Sequence, residues 1–291
     1  MTYGPARVLL DTTALRTSDA AAFRRNQERF TRHGGGSVYA GFHSVMRESP
    51  TIEYTTMDLI PTLTMMDGGG VPNGTSPITA IWSRPADNQI PYASAIARTL
   101  PATTRHFLNR ISITQGQTVR ISATAFGVSP NGNATPVENS TPNPPGQISE
   151  SVEWVCTSIV QNGVEIERWQ SAEIEIDHKA TTQADECFRG QRPFPVLVAS
   201  GGPRGGVDVS LTIEGHDLAQ SLNDTDPIVF TLQPKISGQA SLGSDEITIT
   251  IIPGLTDRDL ADGSPSSNSI TVLAKHDGTN LPITIALPAV D

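Results

Sequence analysis

Apolar and polar residues alternate with a period of two along most of this chain. Ile111 and Ile113 flank Ser112, and Val119, Ile121, Ala123 and Ala125 alternate with polar neighbours. That period places every second side chain on one face of a strand. The segments 107–114 and 118–126, joined by Gln115-Gly116-Gln117, therefore predict an antiparallel hairpin with Ile111, Ile113, Val119 and Ile121 on core faces. A second hairpin is expected where 152–160 and 164–169 flank Asn162-Gly163, because both residues of that pair tolerate the positive φ of a tight turn. Ile174 and Ile176 alternate with Glu173, Glu175 and Asp177, as on a half-exposed strand. Further strands are expected over 78–82, 196–199, 207–213, 228–232, 247–252, 270–273 and 283–287. Turn signals recur every 10–20 residues or so, as in sandwiches and barrels, and no repeat of fixed period is present.

The first 50 residues are less regular. Residues 7–10 read as a short strand. Ser18 suits the cap of a helix over 19–30, with Asp19 in the first turn where the helix dipole favours a carboxylate. Its apolar face is thin (Ala22, Phe23 and Phe30), so such a helix needs a neighbour, in this reading another subunit. Gly34-Gly35-Gly36 then forms a hinge or turn. Residues 51–60 mix β-branched and apolar side chains as a strand does. Asp67-Gly68-Gly69-Gly70 and Pro72-Asn73-Gly74 mark a long turn. The expected organisation is an N-terminal arm with a short helix (1–50), a first β region (51–128), a loop or linker with five prolines (129–150) and a second β region (151–291). The predicted fold class is all-β, a sandwich or barrel with long loops and one short helix in the arm.

Composition sharpens this. Only 17% of the 291 residues are charged, which disfavours a helix bundle. The net charge of −10 argues against sequence-specific nucleic-acid binding, which needs clustered Lys and Arg, while suiting a surface past which DNA slides. The N-terminus has no basic region followed by an apolar core, and no run approaches the roughly 18 apolar residues of a membrane helix. No membrane span and no export are expected. The N-x-Ser/Thr sequons at Asn73, Asn133, Asn139 and Asn223 carry no weight without secretion.

Residues of chemical interest are dispersed. His33, His43, His106, His178, His216 and His276 include no pair at zinc spacing. Cys156 and Cys187 match no zinc pattern, and both free thiols and a cross-strand disulfide stay open. His216-Asp217 reads as a strand end. Gly127-Val128-Ser129-Pro130 lacks the last glycine of a nucleophile elbow. Gly201–Gly206 places Pro203 and Arg204 where a phosphate cradle needs free amides, so a hairpin tip is expected. Asp224 and Asp226, and Asp257, Asp259 and Asp262, are ascribed to loops, where Asp is at home without a metal; a loose calcium site there stays open. Trp82, Trp154 and Trp169 lie on expected strands as core residues, with Trp154 and Trp169 across one hairpin. No catalytic, cofactor-binding or metal residue is assigned, no cofactor is expected, and the chain is read as a non-enzyme.

The opening Tyr3-Gly4-Pro5-Ala6-Arg7-Val8 resembles the start of some phage and prophage tail-tube and virion structural proteins. The Thr/Ser/Ala/Gly-rich, charge-poor style with a Val/Ile-rich C-terminal strand is similar as well. The resemblance implies a twisted β-sandwich or barrel whose copies join sheets into rings, with arms clasping neighbours. At 291 residues the chain is longer than a minimal tube subunit, which implies an added domain or extended loop. The function expected is a self-assembling virion structural protein, tail-tube-like, made in the host cytoplasm and located in the virion. Its partners would be copies of itself and other virion proteins. The alternatives are an icosahedral capsid protein or a non-viral surface adhesion sandwich.

Overall fold

The computed structural model describes residues 7–17, 21–33, 40–66, 73–86, 89–140, 152–184, 194–199, 207–215, 223–236, 241–260, 268–275 and 281–288. In chain order the strands are β1 (Arg7–Leu10), β2 (Thr13–Leu15), β3 (Ala22–Arg24), β4 (Gln27–His33), β5 (Ala40–Glu48) and β6 (Thr51–Thr56). Helix α1 (Leu59–Met65) follows, then β7 (Asn73–Thr75), β8 (Ile78–Ala86), β9 (Gln89–Leu100), β10 (Arg105–Thr114), β11 (Arg120–Phe126) and β12 (Glu138–Ser140). Next come β13 (Val152–Gln161), β14 (Val164–Glu165), β15 (Trp169–Asp177), β16 (Thr181–Ala184), β17 (Pro195–Ala199) and β18 (Asp208–Gly215). The last are β19 (Ile228–Ile236), β20 (Ile247–Ile251), β21 (Pro253–Leu260), β22 (Asn268–Ala274) and β23 (Ile283–Ala286). The protein is all-β with one short helix among the described residues.

Three larger sheets share a core. One runs β12-β9-β8-β1-β2 and another β14-β13-β19-β20-β23. The largest has nine strands, in the order β21-β22-β18-β15-β10-β11-β6-β3, with β7 also pairing β10. Both β regions of the sequence contribute to this sheet, joined where Arg110 to Thr114 of β10 run against Ser171 to Glu175 of β15. The main apolar cluster draws inward residues from all three sheets, including Val8, Ile78, Ile111, Ile121, Ile174, Phe230 and Ile249. Residues 129–140 are part of this body: Val137 is buried and β12 pairs β9.

Both predicted hairpins form. Ile111 lies opposite Ile121, and Ile111, Ile113, Val119 and Ile121 are all buried. Gly116 turns the chain at φ 71°. Asn162 and Gly163, at φ 52° and 74°, link β13 to β14. The second hairpin stops at Glu165, however, and Trp169 opens β15 in the nine-stranded sheet. Trp154 and Trp169 are therefore not hairpin partners, although both are buried in the core.

Two expectations near the N-terminus are corrected. The helix expected over 19–30 is absent from its described part: Ala22–Arg24 is a strand paired to β6, and Gln27–His33 pairs β5. Three apolar residues make too narrow a stripe to hold a helix, whereas pairing with β6 lets Phe23 pack on the core. Asn26, at φ 45°, breaks the path between the strands, and its side-chain amide donates to the Ser49 carbonyl and the Thr51 hydroxyl. The Ser18 cap and the glycine hinge at 34–36 lie outside the described residues. The strand expected over 51–60 ends at Thr56, and the helix appears at Leu59–Met65 instead. Pro61 sits in its first turn, where a missing N–H is no loss. Leu59, Leu63 and Met66, spaced four and three apart, are buried.

Part of the long turn expected around residue 70 is strand as well. Gly74 lies on β7, opposite His106. A Cβ there would stand 2.0 Å from the Met65 carbonyl oxygen, so only glycine lets β7 pass the end of α1. Gly116 has open space around it and only its φ to satisfy. Gly116→Ala is therefore expected to cost about 1 kcal/mol, and Gly74→Ala distinctly more, measured as the shift in urea unfolding midpoint at equal m-value.

Candidate functional site

His106 and His178 are both buried on or beside the long strand β10. His106 sits in β10 under β7. Its Nε2 donates to the Ser76 carbonyl at 2.8 Å, and its Nδ1 faces the Tyr54 hydroxyl at 3.4 Å. That pattern places the proton on Nε2. His178 follows β15, and its Nε2 donates to the Leu108 carbonyl at 2.7 Å. This contact lies where the β10–β11 register slips around Asn109. The Phe107 ring centroid is 4.9 Å from that of His178. Burial pushes the His106 pKa down to about 4 against the opposing Ser76 contact. Burial lowers His178 too, against the Leu108 carbonyl and Asp177. Burial likewise raises the Tyr54 phenol. Both imidazoles tie backbone segments together in their neutral form, a role that spacing in the sequence does not reveal.

His33 and His43 fall on β4 and β5. His216, His276 and Cys187 lie outside the described residues, as do Asp262 and the Gly201–Gly206 segment. Cys156 is buried on β13 with its thiol toward the Ser158 carbonyl at 3.5 Å, and burial pushes its pKa up to about 12. Such a thiol is not a nucleophile at neutral pH.

Asp224 and Asp226 belong to a loop that satisfies itself. Asn223 Oδ1 accepts from the Thr225 and Asp226 backbone amides and the Thr225 hydroxyl, and the Asn223 side-chain amide donates to Asp226 Oδ2. The buried Gln161 amide grips the loop by donating to the Asn223 and Asp226 carbonyls. Asp257 and Asp259, expected in a loop, lie on strand β21 opposite Thr271 and Ser269. Among the described residues no group of three His, Cys, Asp or Glu is arranged to hold a metal ion.

An open groove of about 680 Å³ lies on the polar face of the nine-stranded sheet, lined by Glu53, Asn109, Ser122, Thr124, Glu175 and His178 among others. Its polar groups are largely paired with one another. Asn109 donates to the Thr124 hydroxyl at 2.6 Å, the Thr55 and Ser122 hydroxyls are 2.9 Å apart, and Arg110 bridges Glu173 and Glu175. A second hollow, of about 540 Å³, lies between α1 and the sheet holding β13 and β19, beside Leu59, Pro61, Trp154 and Pro234. Arg16 and Asp58 also line it. Asp58 accepts from the Arg16 backbone N–H and from Nε, both at 2.6 Å, and Nη2 donates to the Val152 carbonyl at 2.7 Å. This ion pair ties β2, α1 and β13 together, and no periodicity announces it.

The surface that stands out is the hairpin of β4 and β5. Among the described residues these strands pair with each other alone, in the register that β3 and β6 begin: Arg24 faces Thr51 and Gln27 faces Glu48. Leu255 and Leu273, cross-strand partners on β21 and β22, are also exposed large apolar residues. No helix among the described residues is long and apolar enough to cross a membrane. No protein-family model and no curated protein matches this chain.

Two outcomes follow from the buried groups. His106 has its folded pKa below the unfolded value near 6.5, so its contribution to stability is present above that value and is lost as pH falls toward 4. About 3 kcal/mol is expected to disappear over that window. In His106→Gln, which keeps a side-chain N–H donor but does not titrate, chemical unfolding at stepped pH should show a correspondingly shallower loss. Asp58→Ala strands a buried guanidinium and should cost about 3–5 kcal/mol, whereas Arg16→Met combined with Asp58→Leu should recover most of it in the same assay.

Proposed function

We propose that this chain is a self-assembling virion structural subunit of the tail-tube kind, which builds rings or a tube from copies of itself. The observation that carries the reading is the β4–β5 hairpin. It carries the β3–β6 ladder on past Asn26 and Pro50 in the same register, as two strands with no third beside them among the described residues. A two-stranded ladder is marginal in water, so strands of seven and nine residues that project in this way are suited to being held by a neighbour. The resemblance of the first residues and the chain's style to virion proteins supports the viral setting. The net charge of −10 suits a lumen through which DNA passes without adhering. His106, His178 and the Asn223–Asp226 loop serve the fold through satisfied hydrogen bonds, which is consistent with a structural role.

Negative-stain microscopy and sedimentation of the purified full chain test this. Stacked rings or hollow tubes are expected. Closed shells would replace the tube with a capsid lattice, and a monomer at every concentration up to saturation would overturn self-assembly altogether.

A further inference from the structure

An asparagine followed by glycine is chemically labile, because the glycine nitrogen can close on the side-chain carbonyl carbon and no Cβ stands in its way. The chain has three such pairs, Asn73-Gly74, Asn131-Gly132 and Asn162-Gly163, and the fold treats them differently. Asn73-Gly74 lies on β7, held between β10 and the end of α1. Asn162-Gly163 is the exposed turn from β13 to β14, and among the described residues no hydrogen bond reaches the Asn162 side chain.

Asn131-Gly132 has a different setting. Asn131 is exposed, and its side chain folds back over its own loop. Its Oδ1 accepts from the backbone amide of Asn133 at 3.0 Å and from that of Ala134 at 3.2 Å, with the Ser129 hydroxyl at 3.4 Å. Gly132 passes through the left-handed region at φ 72°. Its carbonyl accepts from the Phe194 amide at 3.2 Å, and the Ser129 amide donates to the Pro195 carbonyl at 2.8 Å, so the loop is anchored on both sides of Asn131. Among the described residues no backbone carbonyl takes the Gly132 N–H. Two backbone N–H groups aimed at one carbonyl oxygen stabilise the oxyanion of a tetrahedral intermediate. Here that oxygen belongs to Asn131, and the nucleophile is the next nitrogen of the same chain, so no second molecule has to be positioned.

We propose that Asn131-Gly132 is a self-modifying site of the folded protein, at which the Gly132 nitrogen displaces ammonia from Asn131 and water then leaves aspartate or isoaspartate at that position. The Gly132 nitrogen gives its proton to solvent and forms a bond to Asn131 Cγ. The charge that develops on Oδ1 is received by the Asn133 and Ala134 amides. The bond from Cγ to the side-chain nitrogen breaks, and ammonia leaves after taking up a proton, which gives a cyclic imide. Water adds to either imide carbonyl and breaks its bond to the ring nitrogen. One water is consumed and one ammonia released, with no oxidant or reductant.

The product changes the loop that carries it. Isoaspartate routes the main chain through its own side chain, one methylene longer, and adds a negative charge. That extra length falls between Ser129 and Gly132, whose backbone groups clamp Phe194 and Pro195 at the start of β17. The conversion therefore loosens the β16–β17 ladder as the protein ages. It does so whether or not the chain assembles, so it stands apart from the functional reading.

Ageing the native full chain in mildly alkaline buffer tests this, with peptide mass spectrometry to locate each deamidation and enzymatic methylation to detect isoaspartate. A parallel sample is aged unfolded in guanidinium chloride, where the three pairs share one local chemistry. In the folded chain Asn131 is expected to convert about tenfold faster than Asn73 or Asn162, and faster than it converts when unfolded. The unfolded sample separates a stabilised oxyanion from simple exposure, because an exposed loop without that stabilisation reacts no faster than the unfolded chain. Asn131 converting more slowly folded than unfolded, or no faster than Asn162 in the folded chain, overturns the proposal. Amide exchange of β17 in the same aged sample should be faster in the isoaspartyl fraction, and equal protection in both fractions would overturn the loosening.

Discussion

The ladder along β10 is the constraint on which the rest of this structure depends. That strand pairs β11 on one side and, on the other, β15 over Arg110–Thr114 and β7 over Arg105–Phe107. It therefore joins residues about sixty positions apart in the chain and sets the register of the nine-stranded sheet outward in both directions. Its alternation places Ile111 and Ile113 in the core, and a slip by one residue would turn them to the polar groove. The one irregularity, around Asn109, falls at the point where the side chain of His178 takes over the task of holding the Leu108 carbonyl.

Around that ladder, buried polar groups act as fasteners. His106 holds the segment after β7, His178 holds the end of β15, Gln161 holds the 223–226 loop, and Arg16 with Asp58 holds three elements at once. Each is valuable because its partners are backbone groups or a charge that burial would otherwise leave unsatisfied. At His106 and His178 burial also lowers the pKa, which keeps the imidazoles in the neutral form that these contacts use.

The molecule guards its sheet edges. Several sheet ends carry devices that discourage pairing: β2, β3, β12 and β14 have two or three residues each, β21 opens on Pro253, and the four-residue β23 lies between Pro282 and Pro288. The low charge content and the turn-dense sequence fit a chain whose strands are spent on sheets.

Local rules determined much of this in the sequence itself. Period-two alternation located the β10–β11 hairpin with its four buried aliphatic residues, and Asn162-Gly163 announced the turn from β13 to β14 because both positions need positive φ. Where the local signal was thin, tertiary structure decided. Ala22, Phe23 and Phe30 satisfy a helical spacing, but a strand on β6 gives Phe23 a core to pack against and the helix offers none. The residues after Thr56 look β-like until Leu59, Leu63 and Met66 find one buried face and Pro61 falls in a first turn. Trp169 follows the second hairpin in sequence yet belongs to another sheet, because the partner of a strand is set by long-range packing and not by its own pattern. The Arg16–Asp58 pair and the two buried histidines join residues 30 to 70 positions apart, and only the folded chain brings such distances to hydrogen-bonding range.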